Sequence, residues 1–376
     1  MGNPEKSPQI TQEEVLEKWG LKPFPVGEIY SPLPESAFSK EVGEKVSQVR
    51  VSVPGRLNCL IKDPVALVRR EATGEFNYGE ISFGIDLMTH AEARTAKGNS
   101  IIIAESTNRP SLVRHFAEIV RKSIDYDGGI YIEANNDFPY SHIGIGSSAA
   151  LATATTLAIN KLTGEPIKTE ALPLFLARNY GEEIVDDPNL LVPVQCTGGT
   201  SLMALHGGLI AVENSEVVQR MEIPDGLNYV LAIPSFPRPD AKGAMAREID
   251  AVFQHILESA RHMQPFFAQR FQEVRRAMSL SDIRAVGKAI EEVDSDEVIM
   301  QGYENMFPGI GEQYKTVRDS LQEYQPVCTF ISSAGPSFIT LCDSEVLKGI
   351  MNTHHQIGFQ EVIASKPVNQ GFRYEK

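Results

Sequence analysis

The first part of the chain alternates extended apolar stretches with segments of helical spacing. Extended patterns occupy residues 49–68, 79–94 and 101–106, and the first is broken at Pro54-Gly55. One-sided apolar spacing predicts helices over residues 111–122 and 170–185, and the first of these makes His115 a core or boundary residue rather than a ligand-binding one. The pattern therefore predicts a sheet-rich first region with a few helices.

The second part is mainly helical. After a strand at residues 228–236, amphipathic patterns predict helices at 246–263, 265–278, 281–293, 313–324 and 345–355, with strands at 328–343 (a pair split at 332–336) and 361–367. Sheet and helix occur in each half without regular βαβ alternation, which is typical of an α+β protein. We predict an N-terminal extension at 1–45 with a short helix at 10–20, a first domain at 46–220 and a second at 221–376.

Charge and composition exclude several classes of partner. The net charge is −14 and no compensating basic stripe is visible, which argues against nucleic acid and anionic membranes as partners. No apolar run is long enough to span a bilayer, and the four cysteines lack the CxxC spacing of a zinc site. We therefore expect a soluble, cytoplasmic protein whose partners are small molecules.

A glycine-containing turn at residues 143–146 is the main candidate for ligand binding. Gly144 and Gly146 precede Ser147 and Ser148, where an Ala-rich helix begins. Free backbone N–H groups, the helix dipole and two hydroxyls together suit a phosphate. The alternative is a small-residue turn with serine as an ordinary helix cap.

A second turn of the same kind follows at Gly198-Gly199-Thr200-Ser201. Two such turns in one domain predict a shared polyanion site, although a simple connection between packed elements would use the same residues.

Charged side chains also interrupt the first strand. Arg56 and Asp63 either pair at the strand ends or point into a pocket. In a pocket, Arg56 would bind phosphate with two hydrogen bonds, and Asp63 would hold a metal or stabilise positive charge.

Three segments in order, PGRLN, HIGIGSSAA and SSAGPSF, resemble the three motifs of the GHMP superfamily, which includes galactokinase, homoserine kinase and mevalonate kinase. The resemblance spans about residues 49–345. It implies an α+β, GHMP-kinase-like fold: a domain like domain 2 of ribosomal protein S5, then a ferredoxin-like domain, with ligand phosphates on the glycine turn between them. The chain departs from many of the kinases because its 198–201 segment lacks their aspartate.

Within the superfamily, the chain is more similar to β-ribofuranosylaminobenzene 5′-phosphate synthases and related C-nucleoside synthases. The matching segments are Arg56–Asp63 (with Asn58 in place of histidine), His142–Ser147, Gly198–Ser201, Ser332–Ser337 and Lys366–Gly371. Departures at Ser148-Ala149-Ala150 and at residues 72–80 suit an acceptor other than 4-aminobenzoate, such as an aminopyrazole carboxylate.

This resemblance implies decarboxylating C-ribosyl transfer. Phosphoribosyl pyrophosphate would donate its ribose 5-phosphate to a carboxylated aromatic or heteroaromatic amine, releasing CO2 and pyrophosphate. It implies Arg56, Asn58 and Asp63 as catalytic residues, with Asp63 as a possible Mg2+ ligand, and it implies a homodimer. The phosphate-binding residues would be His142, Gly144, Gly146, Ser147, Ser148, Gly199, Thr200 and Ser201. Ribose or acceptor would contact Ser333, Gly335 and Asn369.

Two other functions remain open from the residues. One is an ATP-dependent GHMP kinase for a small alcohol such as homoserine, using Arg56, Ser148 and Glu182 for phosphate and Mg2+. The other is a catalytically silent binding protein that retains the pocket.

Overall fold

A computed structural model describes residues 22–66, 79–139, 143–184, 187–194, 196–236, 252–333 and 335–375. The helix predicted at 10–20 and His142 lie outside these residues. None of the helices within them has the length and apolar character needed to cross a bilayer.

The strands of the described residues, in chain order, are β1 Phe24–Pro25, β2 Gln48–Ile61, β3 Gly79–Ala96, β4 Ile101–Ile103, β5 Gly129–Asn136, β6 Gly181–Ile184, β7 Asp187–Pro193, β8 Leu209–Glu213, β9 Glu216–Met221, β10 Leu227–Ile233, β11 Cys328–Ile331, β12 Phe338–Asp343, β13 Glu361–Ser365 and β14 Arg373–Glu375. The helices are α1 Pro110–Ser123, α2 Ser147–Leu162, α3 Leu172–Arg178, α4 Gly199–His206, α5 Gln254–Glu258, α6 Ala260–Ser279, α7 Ile283–Asp294, α8 Glu297–Met306, α9 Ile310–Leu321 and α10 Leu347–Gln356.

The strands form three sheets. The largest runs in the order β14-β2-β3-β5-β4, with β8 added to the first half of β3 and β9 added to β8. A second sheet has the order β11-β12-β10-β13, and a third, small sheet has the order β1-β7-β6. Since β14 pairs with the start of β2, the end of the described chain completes the sheet that β2 begins.

Helices α1 and α2 cover one face of the largest sheet. Of the residues of α2, all but Ala149 and Lys161 are buried, which explains why its sequence is apolar on nearly every side rather than amphipathic. A separate apolar core joins the two halves of the chain, because Phe83 of β3 packs against Tyr229 of β10 and Phe330 of β11. The proposed boundary near residue 220 stays a prediction, but the halves share this core.

Two helix predictions were wrong at their ends. The helix predicted over 170–185 stops at Arg178, and Gly181–Ile184 is strand, because β6 pairs with β7 and Gly181 packs against the Phe24 ring. The helix predicted at 246–263 is divided: its described part contains α5 and the first residues of α6, and α6 continues through Pro265 to Ser279. Pro265 is exposed near the start of α6, so the carbonyl that loses its N–H partner there can bind water instead.

Residues 22–38 pack along the first domain, although the pattern predicted only loop there. Phe24 is buried, and β1 pairs with Leu190 and Leu191 of β7. His115, fully buried as predicted, joins this segment to the body: its Nδ1 accepts the Gly27 N–H at 3.0 Å, and its Nε2 donates to the Asn179 carbonyl at 2.8 Å. These two bonds require the neutral ring with its proton on Nε2.

We expect His115→Phe to lower the free energy of unfolding by about 2–4 kcal/mol at neutral pH, because it leaves a buried donor and a buried acceptor unpaired. The pKa of His115 is lowered to about 4, mainly by burial. The hydrogen bond to the Asn179 carbonyl raises this pKa, and the nearby charge of Lys122 lowers it. The contribution of the neutral ring is therefore present above pH 6.5 and is lost as the pH falls towards 4. Urea unfolding between pH 8 and 5 should show the difference between wild type and variant shrinking below pH 6.5; a pH-independent difference would contradict this.

Candidate functional site

The glycine turn has the backbone that its sequence predicts. Gly144 and Gly146 have φ values of 85° and 69°, a region that favours glycine, and α2 begins directly after them at Ser147. The Ser147 and Ser148 side chains lie at this helix start, and neither hydroxyl bonds to another described residue.

The start of α2 differs from two neighbouring helix starts, which are occupied by carboxylates of the protein itself. At α1, Glu183 accepts the Ser111 and Leu112 N–H groups at 2.6 and 3.1 Å. At α4, the Glu80 carboxylate lies against Gly199: a Cβ added to Gly199 would fall 1.8 Å from Glu80 Oε1. No described carboxylate accepts from the first N–H groups of α2, so this helix end can receive an external anion.

Glu80 is the centre of a buried polar cluster that the sequence analysis did not identify. Its fully buried carboxylate accepts from Arg56 Nη1 at 2.9 and 2.8 Å, from Asn58 Nδ2 at 3.1 Å and from the Ser82 hydroxyl. The sequence contains a signal for this cluster, since Glu80 and Ser82 are polar residues that alternate with Ile81 and Phe83 in the first half of β3. They therefore share the inward face of β3.

Arg56 is consequently not a free cation. Its guanidinium is 10% exposed and paired with Glu80, it also lies 3.4 Å from the Thr197 hydroxyl, and its buried Nε has no partner. The pair as a whole is neutral. The phosphate-binding and catalytic roles predicted for Arg56 stay predictions.

The two small-residue turns converge. A Cβ on Gly146 would lie 2.7 Å from the Thr200 hydroxyl and 3.7 Å from the Arg56 Cβ. The Thr200 hydroxyl has no described partner, whereas the Ser201 hydroxyl is already bonded to Thr153 of α2 at 2.8 Å. Three unpaired hydroxyls, those of Ser147, Ser148 and Thr200, are thus near the start of α2.

The 332–337 segment closes over the glycine turn. The Ser332 hydroxyl donates to the Gly144 carbonyl at 2.6 Å, and a Cβ on Gly144 would lie 2.1 Å from the Ser332 carbonyl oxygen. Gly335 touches the Gly144 nitrogen equally closely, and the Ser333 N–H donates to the Asn58 carbonyl at 2.9 Å. The structure therefore brings the predicted residues of the first, second and third motifs together.

Two predicted residues lie elsewhere. Asp63 lies two residues beyond the end of β2 and seven residues after Arg56, roughly 20 Å for an extended chain, and it accepts from the Ala66 N–H and from Gln264 of α6. Asn369 binds both backbone groups of Ile223 at 2.8 Å. No group of three or more potential metal ligands occurs among the residues described.

Glu182, the residue that the kinase alternative required, is engaged within the protein. It pairs with Arg109 and accepts from the Tyr180 hydroxyl at 2.7 Å. The neighbouring Glu183 holds the start of α1, so β6 acts here as a support for that helix.

The comparison with protein families places part of this site in a known family. Residues 111–189, which contain the glycine turn and α2, match the GHMP kinases N terminal domain. Over this segment the chain is similar to the GHMP kinases. A homoserine kinase of Moorella thermoacetica is 25% identical over 233 residues, which cover 60% of this chain and 66%, just under two thirds, of the relative.

Solved GHMP structures have the same α+β fold. A homoserine kinase from Cytophaga hutchinsonii matches with a TM-score of 0.63 and 17% identity over 90% of this chain and 100% of its own. A mevalonate diphosphate decarboxylase from Staphylococcus aureus matches with a TM-score of 0.61 and 14% identity over 88% of this chain and 98% of its own. MDDEF, in complex with MVAPP, AMPPCP and magnesium, matches with a TM-score of 0.59 and 14% identity over 88% and 99%.

We expect Glu80→Gln to destabilise the protein by about 3–5 kcal/mol, because it leaves the Arg56 charge buried without a counterion. The double variant Glu80→Gln with Arg56→Gln should recover part of this loss. Glu92→Gln is the matched control, since it breaks the exposed Arg94 pair on the same strand and should cost less than about 1 kcal/mol. Urea unfolding measures all three; equal losses for Glu80→Gln and Glu92→Gln would contradict the buried-pair account.

Proposed function

We propose that this GHMP protein is an ATP-dependent kinase that transfers a phosphoryl group to the hydroxyl of a small alcohol. The observation that supports it most is the start of α2, where unoccupied backbone N–H groups and three unpaired hydroxyls meet beneath the 332–337 segment. The similarity to homoserine kinases favours this chemistry over others in the superfamily.

In this proposal the ATP phosphates lie on the glycine turn. The N–H groups at the start of α2 and the Ser147, Ser148 and Thr200 hydroxyls donate to phosphate oxygens, and their donation stabilises the charge that spreads over the transferred group. The Arg56–Glu80 pair lies beside them and fixes the position of the second turn. The 332–337 segment excludes water from the glycine turn.

Mg2+ fits this site as a partner of the nucleotide. Mg2+ in kinases takes most of its ligands from phosphates and water and needs only one or two protein oxygens. The unpaired Ser148 hydroxyl would supply one such oxygen, and MDDEF was solved in complex with MVAPP, AMPPCP and magnesium. When bound, the ion neutralises charge on the phosphates.

A second candidate is C-ribosyl transfer from phosphoribosyl pyrophosphate to a carboxylated aromatic or heteroaromatic amine. One observation favours it: residues 196–201 carry no carboxylate, and the Glu80 carboxylate is already occupied by donors from Arg56, Asn58 and Ser82. Attack by a ring carbon with loss of CO2 needs no base to take a proton from an alcohol. Asp63, Ser333, Gly335 and Asn369 keep their sequence-based roles only within this candidate, and a homodimer stays a prediction for both.

One assay distinguishes the two. The purified protein is incubated with ATP, Mg2+ and a panel of amino and hydroxy alcohols including homoserine, or with phosphoribosyl pyrophosphate and a panel of aromatic and pyrazole carboxylates. ADP formed only with an alcohol supports the kinase. Release of CO2 and pyrophosphate in the absence of ATP would contradict the kinase proposal and support ribosyl transfer. A ligand-induced thermal shift with no turnover in either set would indicate a binding protein.

Gly144→Ala tests the closed turn. It should weaken ATP binding at least about tenfold, since the new Cβ would meet the Ser332 carbonyl and force the turn away from the phosphate, at a cost of about 1.5–3 kcal/mol. Gly98→Ala is the matched control: Gly98 also has a positive φ, of 82°, but its Cβ would touch nothing within 4 Å. Calorimetric titration with ATP and Mg2+ measures both, and unchanged affinity in Gly144→Ala would exclude the turn as the phosphate site.

A further inference from the structure

The outer edge of β11 leads directly into the 332–337 segment. β11 is an edge strand, bonded only to β12, so the N–H groups of alternate residues point away from the sheet. Three of these N–H groups, at residues 329, 331 and 333, have acceptors that come from outside the sheet.

Two of the acceptors belong to α7. Glu291 Oε1 accepts the Thr329 N–H at 2.8 Å, and Asp294 Oδ2 accepts the Ile331 N–H at 2.6 Å. Carboxylates three residues apart on a helix are about 5–6 Å apart at Cβ, close to the roughly 7 Å between alternate residues of a strand. One helix can therefore serve both N–H groups.

Glycine allows α7 to come close enough for this. A Cβ on Gly287 would lie 2.3 Å from the Val327 carbonyl oxygen and 3.0 Å from the Cys328 Cβ. Gly287, Glu291 and Asp294 have the i, i+4, i+7 spacing of a single helix face. This face of α7 packs directly against the edge of β11.

The third N–H group, that of Ser333, makes its hydrogen bond within the candidate site. The Ser333 N–H donates to the Asn58 carbonyl of β2, beside the Glu80 cluster, and the adjacent Ser332 binds the Gly144 carbonyl. A shift of β11 relative to α7 would move both contacts.

We propose that Asp294, supported by Glu291, is a positioning residue of the candidate site: it holds β11 in the register that closes the 332–337 segment over the glycine turn. The proposal rests on the proposed function for its ligand. Asp294 touches no ligand itself and acts through Ile331, Ser332 and Ser333.

The test compares Asp294→Ala with Asp294→Asn, which keeps an acceptor for the Ile331 N–H. Asp282→Ala is the matched control, because Asp282 caps the same helix through the Ala285 N–H and does not contact β11. Amide hydrogen exchange of residues 331–333 in the ligand-free protein reports the register, and titration with ATP and Mg2+, repeated with phosphoribosyl pyrophosphate, reports the site.

We expect Asp294→Ala to lose exchange protection at residues 331 and 333 and to bind the ligand about tenfold more weakly, with Asp294→Asn close to wild type. Asp282→Ala should lower the melting temperature and leave both readouts unchanged. Wild-type protection in Asp294→Ala, or the same loss in Asp282→Ala, would overturn the proposal. If Asp294→Ala does not fold, Glu291→Ala is measured in its place, with protection lost first at residue 329.

Because hydrogen exchange needs no ligand, it separates this proposal from the proposed function. Lost protection in Asp294→Ala together with no binding of either ligand by wild type would overturn the phosphate site and leave the register role standing.

Discussion

The buried carboxylate of Glu80 is the contact on which the candidate site depends. It accepts hydrogen bonds from Arg56 and Asn58 of β2 and from Ser82 of its own strand, and it lies against Gly199 at the start of α4. A fully buried charge is costly unless it is paired and hydrogen-bonded. The strand that carries Arg56 and the turn that carries Thr200 are therefore held beside one another.

The same electrostatic principle supports the start of α2 as the proposed ligand position. A helix start attracts an anion whether the anion belongs to the protein or comes from solution. Glu183 and Glu80 fill this role at α1 and α4, which stabilises the fold but leaves those helix ends unavailable. The start of α2 is different, since it is lined by glycines and unpaired hydroxyls.

Close backbone approach then completes the site from the other half of the chain. Gly144 and Gly335 have no Cβ, and this lets the 332–337 segment touch the glycine turn directly. Since the halves also share an apolar core around Phe83 and Phe330, the site lies at a tightly packed junction.

Much of the site could be found from short sequence patterns. The glycine turn, the following helix and the small-residue segments at 198–201 and 332–337 are local, because each depends on backbone freedom or capping within a few residues. The α+β fold also followed from these motifs and was confirmed by the structural comparisons. Local pattern failed at residues 181–184, where apolar spacing continued but pairing with β7 decided for strand.

By itself the sequence determined the α+β class, several of the strands and helices and the positive-φ glycines of the turn before α2, since these follow from periodicity and from residues that permit particular φ values. Only the tertiary structure decided which charges meet. Arg56 and Glu80 lie on adjacent strands, and Asp294 meets Ile331 from a neighbouring helix. Such pairings depend on strand register and helix packing, which bring together residues far apart in the chain.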